Sequence, residues 1–310
     1  MLKTYHEQSG AKGDKNMNKQ LINVIRQGVD LHVHIGPEII PRKYTVEKLL
    51  RSEKGKIAGM VLKNHFYPTS PLVPRTSDKP CLFGSIVLNN FVGGLNPEAI
   101  YAASLVGPKP LLVWFPTVSS KRFLDKSTYE IAPEWVNQKK FRGRYSHEIE
   151  GIRIANNRGR IFENAIRVLK VIKTTNSILA TGHISPNESL ILVNAARKIG
   201  ITKVIVTHPI YQKIDMPVSM QKQLIRYGAI IEQSFSMYSI DKIAIKKIVD
   251  QIKEVGANNI VLSSDVGQTF SPSPSRALYE FGEKLTQYKI TMEELKTMIV
   301  INPRQLVGLT

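Results

Sequence analysis

Short runs of β-branched and apolar residues recur along the chain, and stretches with helical periodicity separate them. Such runs are typical of buried strands, and their alternation with helices favours parallel pairing. Eight strands connected in this way can close into a barrel. The pattern therefore predicts an α/β fold of the (β/α)8, or TIM barrel, type in a single domain. The predicted strands are residues 29–34, 58–65, 82–89, 111–117, 178–183, 203–208, 229–233 and 260–265.

Helix-start signals agree with this register. Asn96 precedes Pro97, the order expected of an N-cap followed by proline in the first turn. Ser185 and Thr291 each stand three residues before a glutamate, which predicts two capping boxes. The periodic stretches that predict helices are residues 45–54, 188–198, 219–227, 240–255 and 275–286.

Two segments fall outside the repeating pattern. Residues 1–17 are polar and end at Met17, directly before the first apolar-periodic segment, so we expect a flexible N-terminal extension and a barrel over residues 18–310. Residues 118–159 are rich in charge and have few periodic positions. A loop of that length inside a domain is usually functional, and we interpret it as a lid after strand 4, with a disordered surface excursion as the alternative.

The amino-acid composition indicates a protein with a buried core and no membrane span. The 310 residues are 42% hydrophobic, enough for a sizeable core, and contain no apolar run long enough to span a membrane. We expect a cytoplasmic protein with no membrane partner, and oligomerisation is left open.

The single cysteine, Cys81, excludes an internal disulfide and a thiolate zinc site. Any metal must therefore be held by nitrogen and oxygen ligands.

The formal net charge of +18 raises the question of nucleic-acid binding. Lysine and arginine are spread along the whole chain and are not interleaved with aromatic residues in a recognisable motif. We interpret the charge as a basic surface that favours a small anionic substrate, and we do not expect a nucleic-acid partner. The stretch most open to an acidic partner contains Lys139, Lys140, Arg142 and Arg144.

The positions of the histidines are the main indication of function in the sequence. Of seven histidines, only His6 and His147 lie away from the ends of predicted strands. The carboxyl ends of barrel strands are where loops converge on the active site, and imidazole suits zinc, iron, manganese or nickel. The sequence therefore predicts a metal site. The five strand-end histidines are His32, His34, His65, His183 and His208.

Spacing within two strands adds detail. Residues two apart on a strand share a face, so His32 and His34 can bind one ion together. Lys63 and His65 share a face in the same way on the second strand. Asp265 ends the eighth strand, at the same mouth of the predicted barrel.

This arrangement resembles the amidohydrolase superfamily, whose members carry His-x-His on strand 1, histidines on strands 5 and 6 and an aspartate on strand 8. Residues 302–309, NPRQLVGL, are similar to the terminal helix common in that superfamily. LKNH at 62–65 and GGLNP at 93–97 look like an uncharacterised cytosolic branch. The resemblance spans residues 30–309. It implies Asp265 as ligand and proton carrier, with His32, His34, His183 and His208 as further metal ligands.

One departure concerns the number of metals. Binuclear members take a bridging carboxylated lysine or glutamate from strand 4, and residues 111–117 contain neither. Lys63 is the nearest substitute, either as a carboxylated metal ligand or as an ammonium that holds a substrate carboxylate. We expect one or two divalent ions, zinc first, with manganese, iron or nickel as alternatives.

The resemblance implies a metal-dependent hydrolase that cleaves an amide, lactam, ester or lactone bond of a small anionic substrate. Asp265 and Lys63 are the candidate catalytic residues. A decarboxylase or a phosphoesterase on the same scaffold is the first alternative. A metal-stabilised binding protein or an RNA-associated protein without catalysis is the second. The candidate substrate-binding residues are His65, Arg42, Arg75, Asn89 and Glu232.

Overall fold

A computed structural model describes residues 19–74, 80–126 and 151–309. Within them, every neighbouring pair of strands is parallel, as the alternating pattern predicts. The strands are β1 (Val29–His34), β2 (Gly59–Lys63), β3 (Cys81–Phe83), β4 (Ser85–Val87), β5 (Leu112–Trp114), β6 (Ile178–Ala180), β7 (Val204–Val206), β8 (Ala229–Ser234) and β9 (Ile260–Ser263).

The predicted third strand is divided into β3 and β4 at Gly84. A side chain at Gly84 would lie 2.4 Å from Ser70 Cα, so only glycine allows this close approach of two backbones. The interruption leaves two sheets, in the orders β1-β2-β3 and β4-β5-β6-β7-β8-β9. Counted as one interrupted strand, β3 and β4 restore the predicted number of eight.

Two seams join the sheets into a barrel. After β9, the Asp265 amide donates to His32 O at 2.9 Å, and the His34 amide donates to Val266 O at 2.8 Å. Between β2 and β4, Ser85 Oγ donates to Leu62 O at 2.5 Å. The α/β barrel class is confirmed.

Helices lie between the strands. No helix in the described ranges has the length and apolar character needed to cross a membrane. The helices are α1 (Lys19–Gln27), α2 (Val46–Glu53), α3 (Pro97–Leu105), α4 (Lys121–Lys126), α5 (Glu163–Thr174), α6 (Pro186–Ile199), α7 (Val218–Arg226), α8 (Phe235–Ser239), α9 (Ile245–Val255), α10 (Pro274–Gln287), α11 (Met292–Lys296) and α12 (Asn302–Val307), with a π-helical turn at Thr297–Ile301 and 3-10 turns at Ser70–Leu72, Asn90–Val92 and Ala257–Asn259.

The three predicted helix N-caps are confirmed. Asn96 Oδ1 accepts from the Ala99 amide at 3.1 Å, and Ser185 and Thr291 both form complete capping boxes. The predicted helix at residues 240–255 is wrong at its start. Its first residues follow a separate helix, α8, and Lys242 has a left-handed φ of 58°, so α9 begins only at Ile245.

Buried apolar side chains form two large clusters on opposite faces of the strands. One contains alternate strand residues, among them Leu31, Val61, Trp114 and Val261. The larger cluster packs the other face of the strands against the helices. The register of β1 against β2 shifts between Asp30 and Val33, where the strand carries the first histidine of the site.

Several predictions fall partly or wholly outside the described residues. The extension at 1–17 lies outside them, and so does His147. Of the predicted lid, the structure describes residues 118–126, which include α4, and residues 151–159. The basic stretch at 139–144 also lies outside the described part of the chain.

We expect Gly182→Ala to destabilise the protein strongly. Gly182 has a φ of 64°, and a Cβ there would lie 2.2 Å from Phe115 O. The clash adds to the backbone strain, so the free energy of unfolding should fall by about 3 kcal/mol in denaturant titration. Gly228→Ala is the matched control, since its φ is 91° and nothing lies within 4 Å of the added Cβ. It should lose only about 1 kcal/mol, and equal losses in the two variants would contradict the clash.

Candidate metal centre

The centre begins at the seam between β9 and β1. Asp265 Oδ1 lies 3.0 Å from His32 Nε2 and 3.0 Å from His34 Nε2. Asp265 has a left-handed φ of 51°, and its amide is bonded to the backbone of β1. This turn directs the carboxylate towards both rings, so the bond that closes the barrel also places the carboxylate.

Two further histidines complete the cluster. His183 follows β6 and His208 follows β7, and their Nε2 atoms lie 3.3 Å apart. His208 Nε2 is 3.9 Å from Asp265 Oδ2, and its ring is stacked with the His32 ring at 5.8 Å between centroids. All these side chains are buried. The structure thus brings together the five predicted ligands, from four strands.

The spacing of the ligand atoms fits a divalent cation. Atoms bonded to one tetrahedral zinc ion at about 2.1 Å lie about 3.4 Å from each other. Four contacts of 3.0 to 3.9 Å link the five side chains, and the ligand atoms of His32, His34 and Asp265 all lie within 4.8 Å of one another. The donor set of imidazoles and one carboxylate suits zinc, manganese, iron or nickel.

Burial keeps the histidine rings in the form that binds metal. It lowers the pKa of His208 to about 4 and that of His34 and His183 well below the usual value. A neutral ring has a nitrogen lone pair to donate. Burial alone would raise the pKa of Asp265, but its electrostatic interaction with His32 and the hydrogen bond from His34 hold it well below its usual range. The carboxylate is therefore ionised.

Glu232 orients one of the rings. Glu232 Oε1 accepts from His32 Nδ1 at 2.9 Å and from Ser263 Oγ at 2.6 Å. Burial raises the pKa of Glu232, but the electrostatic interaction and the hydrogen bond with His32 outweigh this effect, and the pKa is lowered. Because an ionised carboxylate only accepts, His32 Nδ1 carries the proton in this hydrogen bond, and Nε2 is the nitrogen left for a metal. Glu232, predicted to bind substrate, is not in the lining of the cavity and hydrogen-bonds a candidate ligand.

Lys63 lies beside the same ring. Its Nζ is 2.8 Å from His32 Nε2 and 4.9 Å from the centroid of the Trp114 ring. Burial lowers the pKa of Lys63 to about 8, so the neutral amine is accessible close to neutral pH. Lys63 lines the pocket, as its place at the end of β2 predicts.

Asn89 is buried behind the pocket. Its Nδ2 donates to His65 O at 3.1 Å and to Thr117 Oγ1 at 3.0 Å, while its Oδ1 accepts from the Thr117 amide at 2.9 Å. Thr117 Oγ1 in turn contacts His65 Nδ1 at 3.1 Å. Asn89, predicted to bind substrate, is not in the lining of the cavity, and its amide is hydrogen-bonded to Thr117 and His65. His65 itself does line the pocket.

Arg42 also lines the pocket, as predicted, and pairs through Nε with Glu38. Arg75 lies outside the described residues. Two functional contacts had little sequence signal. Glu38 sits in an irregular loop, and Ser236, whose Oγ donates to Asp265 Oδ2 at 2.6 Å, stands just after the end of β8.

The centre opens into a cavity of about 750 Å³. Its lining includes histidine, lysine, arginine and aspartate side chains together with apolar ones. The apolar and aromatic lining residues are Ile40, Pro41, Val118, Phe123, Tyr211, Met237, Ile240 and Phe270.

Comparison with solved structures shows the class of fold. The chain is 14% identical to a dihydroorotase, with a TM-score of 0.53 over 92% of this chain and 69% of that one. It is 12% identical to a Xaa-Pro dipeptidase with bound methionine in its active site, with a TM-score of 0.52 over 91% of this chain and 75% of that one. These likenesses confirm the barrel fold expected from the resemblance to the amidohydrolase superfamily.

The match to a protein family is more specific than the likeness of fold. Residues 27–232 match the model of a family described as "Family of unknown function (DUF6282)", and the chain belongs to that family. No curated protein matches the chain.

We expect Glu232→Gln to weaken metal binding without unfolding the protein. The substitution keeps the size of the side chain but removes the charge that fixes the His32 tautomer. Loss of such a partner costs tenfold or more in metal affinity, measurable by competition with a chromogenic chelator. Glu254→Gln, at an exposed carboxylate paired with Lys222, is the control and should bind metal like wild type. Unchanged affinity in Glu232→Gln would mean that Glu232 has no part in metal binding.

Proposed function

We propose that the protein is a metal-dependent hydrolase that cleaves an amide, lactam, ester or lactone bond of a small anionic substrate. The observation that carries the proposal is the cluster of four histidines and Asp265, linked by contacts of 3.0 to 3.9 Å, of which His34, His183, His208 and Asp265 line an open cavity. A purely structural metal site is normally closed by its ligands and does not face a pocket of this size.

The proposed ligands are His32, His34, His183, His208 and Asp265. Zinc is the first candidate. A divalent metal bound there would supply Lewis-acid activation of water and of the scissile carbonyl group. The protein itself orients the ligands, supplies a proton carrier and excludes bulk water.

Asp265 is the proposed proton carrier. Its carboxylate is ionised and buried, and Ser236 Oγ donates to Oδ2. This hydrogen bond holds the carboxylate in one orientation, with Oδ1 towards the two β1 histidines. An ionised carboxylate in this position accepts a proton from the attacking water and returns it to the leaving nitrogen or oxygen of the substrate.

Lys63 is the second proposed catalytic residue, and its state decides the number of metals. As an ammonium beside His32, it offers a cation to the substrate, which goes with a single metal. As a carboxylated side chain, it would add an anionic ligand and allow two metals. Elemental analysis of the purified protein, together with a crystal structure that shows whether Lys63 carries a carbamate, separates the two states.

Decarboxylation is the second candidate function. The specific observation in its favour is the cation pair of Lys63 and Arg42 in the lining of the pocket, since both would hold a carboxylate substrate. It would use the same proposed ligands but release carbon dioxide in place of a hydrolysis product.

The proposal is tested with purified protein of known metal content on a panel of amide, lactam, ester, lactone and phosphoester substrates. We expect turnover of at least one carbonyl substrate, lost on chelation and restored by one divalent metal. Release of carbon dioxide from a carboxylate substrate would favour the second candidate. Salt-sensitive retention on RNA, with no turnover of any panel member, would contradict both.

We expect Asp265→Asn to retain metal near the wild-type level while turnover falls by a factor of about 100 or more. Asparagine tolerates the left-handed backbone at this position, and four histidine ligands stay in place. Elemental analysis and initial rates measure the two effects. Asp250→Asn, at an exposed i,i+4 ion pair on α9, is the matched control and should match wild type in both. Full activity in Asp265→Asn would remove this residue from the mechanism.

A further inference from the structure

A buried ion pair lies at the edge of the proposed active site. Arg42 Nε donates to Glu38 Oε2, and the two side chains are only 4% and 0% exposed. Glu38 Oε1 also accepts from the His65 amide at 3.0 Å. Both carboxylate oxygens of Glu38 are therefore committed to neighbours within the protein.

This arrangement orients the guanidinium group. The backbone of Arg42 is bridged to Gln268, after β9, and its side chain is held through Nε. The terminal Nη1 and Nη2 atoms have no hydrogen-bond partner within residues 19–74, 80–126 and 151–309. Arg42 lines the cavity, so this pair of donors is available to a molecule bound there.

Arg42 lines the same cavity as the candidate ligands His34 and Asp265. Lys63 adds a second cationic side chain to that lining. A negatively charged group bound at Arg42 would therefore share the cavity with the proposed metal.

Part of the cavity lining is apolar. Val118 and Phe123 form a small buried cluster with Ile40 and Tyr211 against them, and all four line the cavity. Phe270, also in the lining, is 74% exposed, which is unusual for a large apolar ring. An apolar group bound in the cavity would contact this cluster and cover the Phe270 ring.

We propose that the substrate is a carboxylic acid with an apolar or aromatic body, whose carboxylate is held by the Nη1 and Nη2 atoms of Arg42 while the body packs against Phe123 and Tyr211. This inference rests on the proposed function, since it names the substrate class of the same site. A planar carboxylate matches the two parallel donors of a guanidinium edge. A dianionic phosphate is disfavoured because Glu38 and Asp265 place two carboxylates close by.

The test is calorimetric binding of three probes to the purified protein with its own metal: 3-phenylpropionate, 3-phenylpropanamide and 2-phenylethylphosphonate. We expect the carboxylate to bind about tenfold more tightly than the carboxamide, the worth of one charge-assisted bidentate contact. In Arg42→Met this preference should fall at least fivefold, and Arg42→Lys should recover part of it, because lysine is a point charge without the paired donors.

Two further variants distinguish a loss of carboxylate binding from a folding defect. Arg42→Met leaves the buried Glu38 charge without its partner, so the double variant Glu38→Gln/Arg42→Met removes both charges together. It should show the same loss of preference with a melting temperature closer to wild type. Arg276→Met, at an exposed pair with Glu280 on α10, should keep the full preference.

The inference is overturned if the carboxamide binds as tightly as the carboxylate, if the phosphonate binds more tightly than both, or if the double variant keeps the wild-type preference. Hydrolysis of a panel substrate with no role for Arg42 in binding would remove only this inference. An Arg42-dependent carboxylate preference without hydrolysis of any panel member would remove only the proposed function.

Discussion

The structure depends most on the junction between the last strand and the first. The Asp265 amide donates to His32 O, and this bond joins β9 to β1 and closes the barrel. The Asp265 side chain, from the same residue, lies between the rings of His32 and His34. Closure of the fold and assembly of the candidate site are therefore one event, and a change that opens this seam should disturb both.

The negative charges buried at this junction favour a bound cation. Asp265 and Glu232 are both ionised carboxylates with little access to water, and burial favours the neutral form of the neighbouring rings. A buried negative charge is costly unless a positive group compensates for it. Lys63 supplies one such charge through its contact with His32. A divalent ion bonded directly to the rings would compensate more fully, which is the physical basis of the proposed function.

The strands and the clustering of the candidate ligand residues are predicted well from the sequence because both depend on local pattern. Buried parallel strands are short apolar runs, and the mouth of a barrel collects whatever residues end those runs, which is why His183 and His208 could be placed together although they lie on different strands. The helix at 240–255 was misjudged at its start because the apolar spacing continues through Lys242, whose left-handed backbone ends the regular pattern.

Roles were harder to predict than positions. Asn89 and Glu232 end strands as the ligands do, yet both are buried behind the residues that line the pocket and hydrogen-bond to them. The pattern of a strand end does not distinguish a side chain in the pocket from one behind it. The pairing of Glu38 with Arg42 depends on the path of an irregular loop, for which periodicity carries no information.

The central claim is that side chains from four strands hold one common cation. The most direct test is a crystal structure of the purified protein with anomalous diffraction measured at the absorption edge of the metal found by elemental analysis. The account predicts an anomalous peak about 2.1 Å from His32 Nε2 and His34 Nε2, with His183, His208 and Asp265 completing its surroundings. A peak held by other residues, or no peak after incubation with each candidate divalent metal, would contradict it.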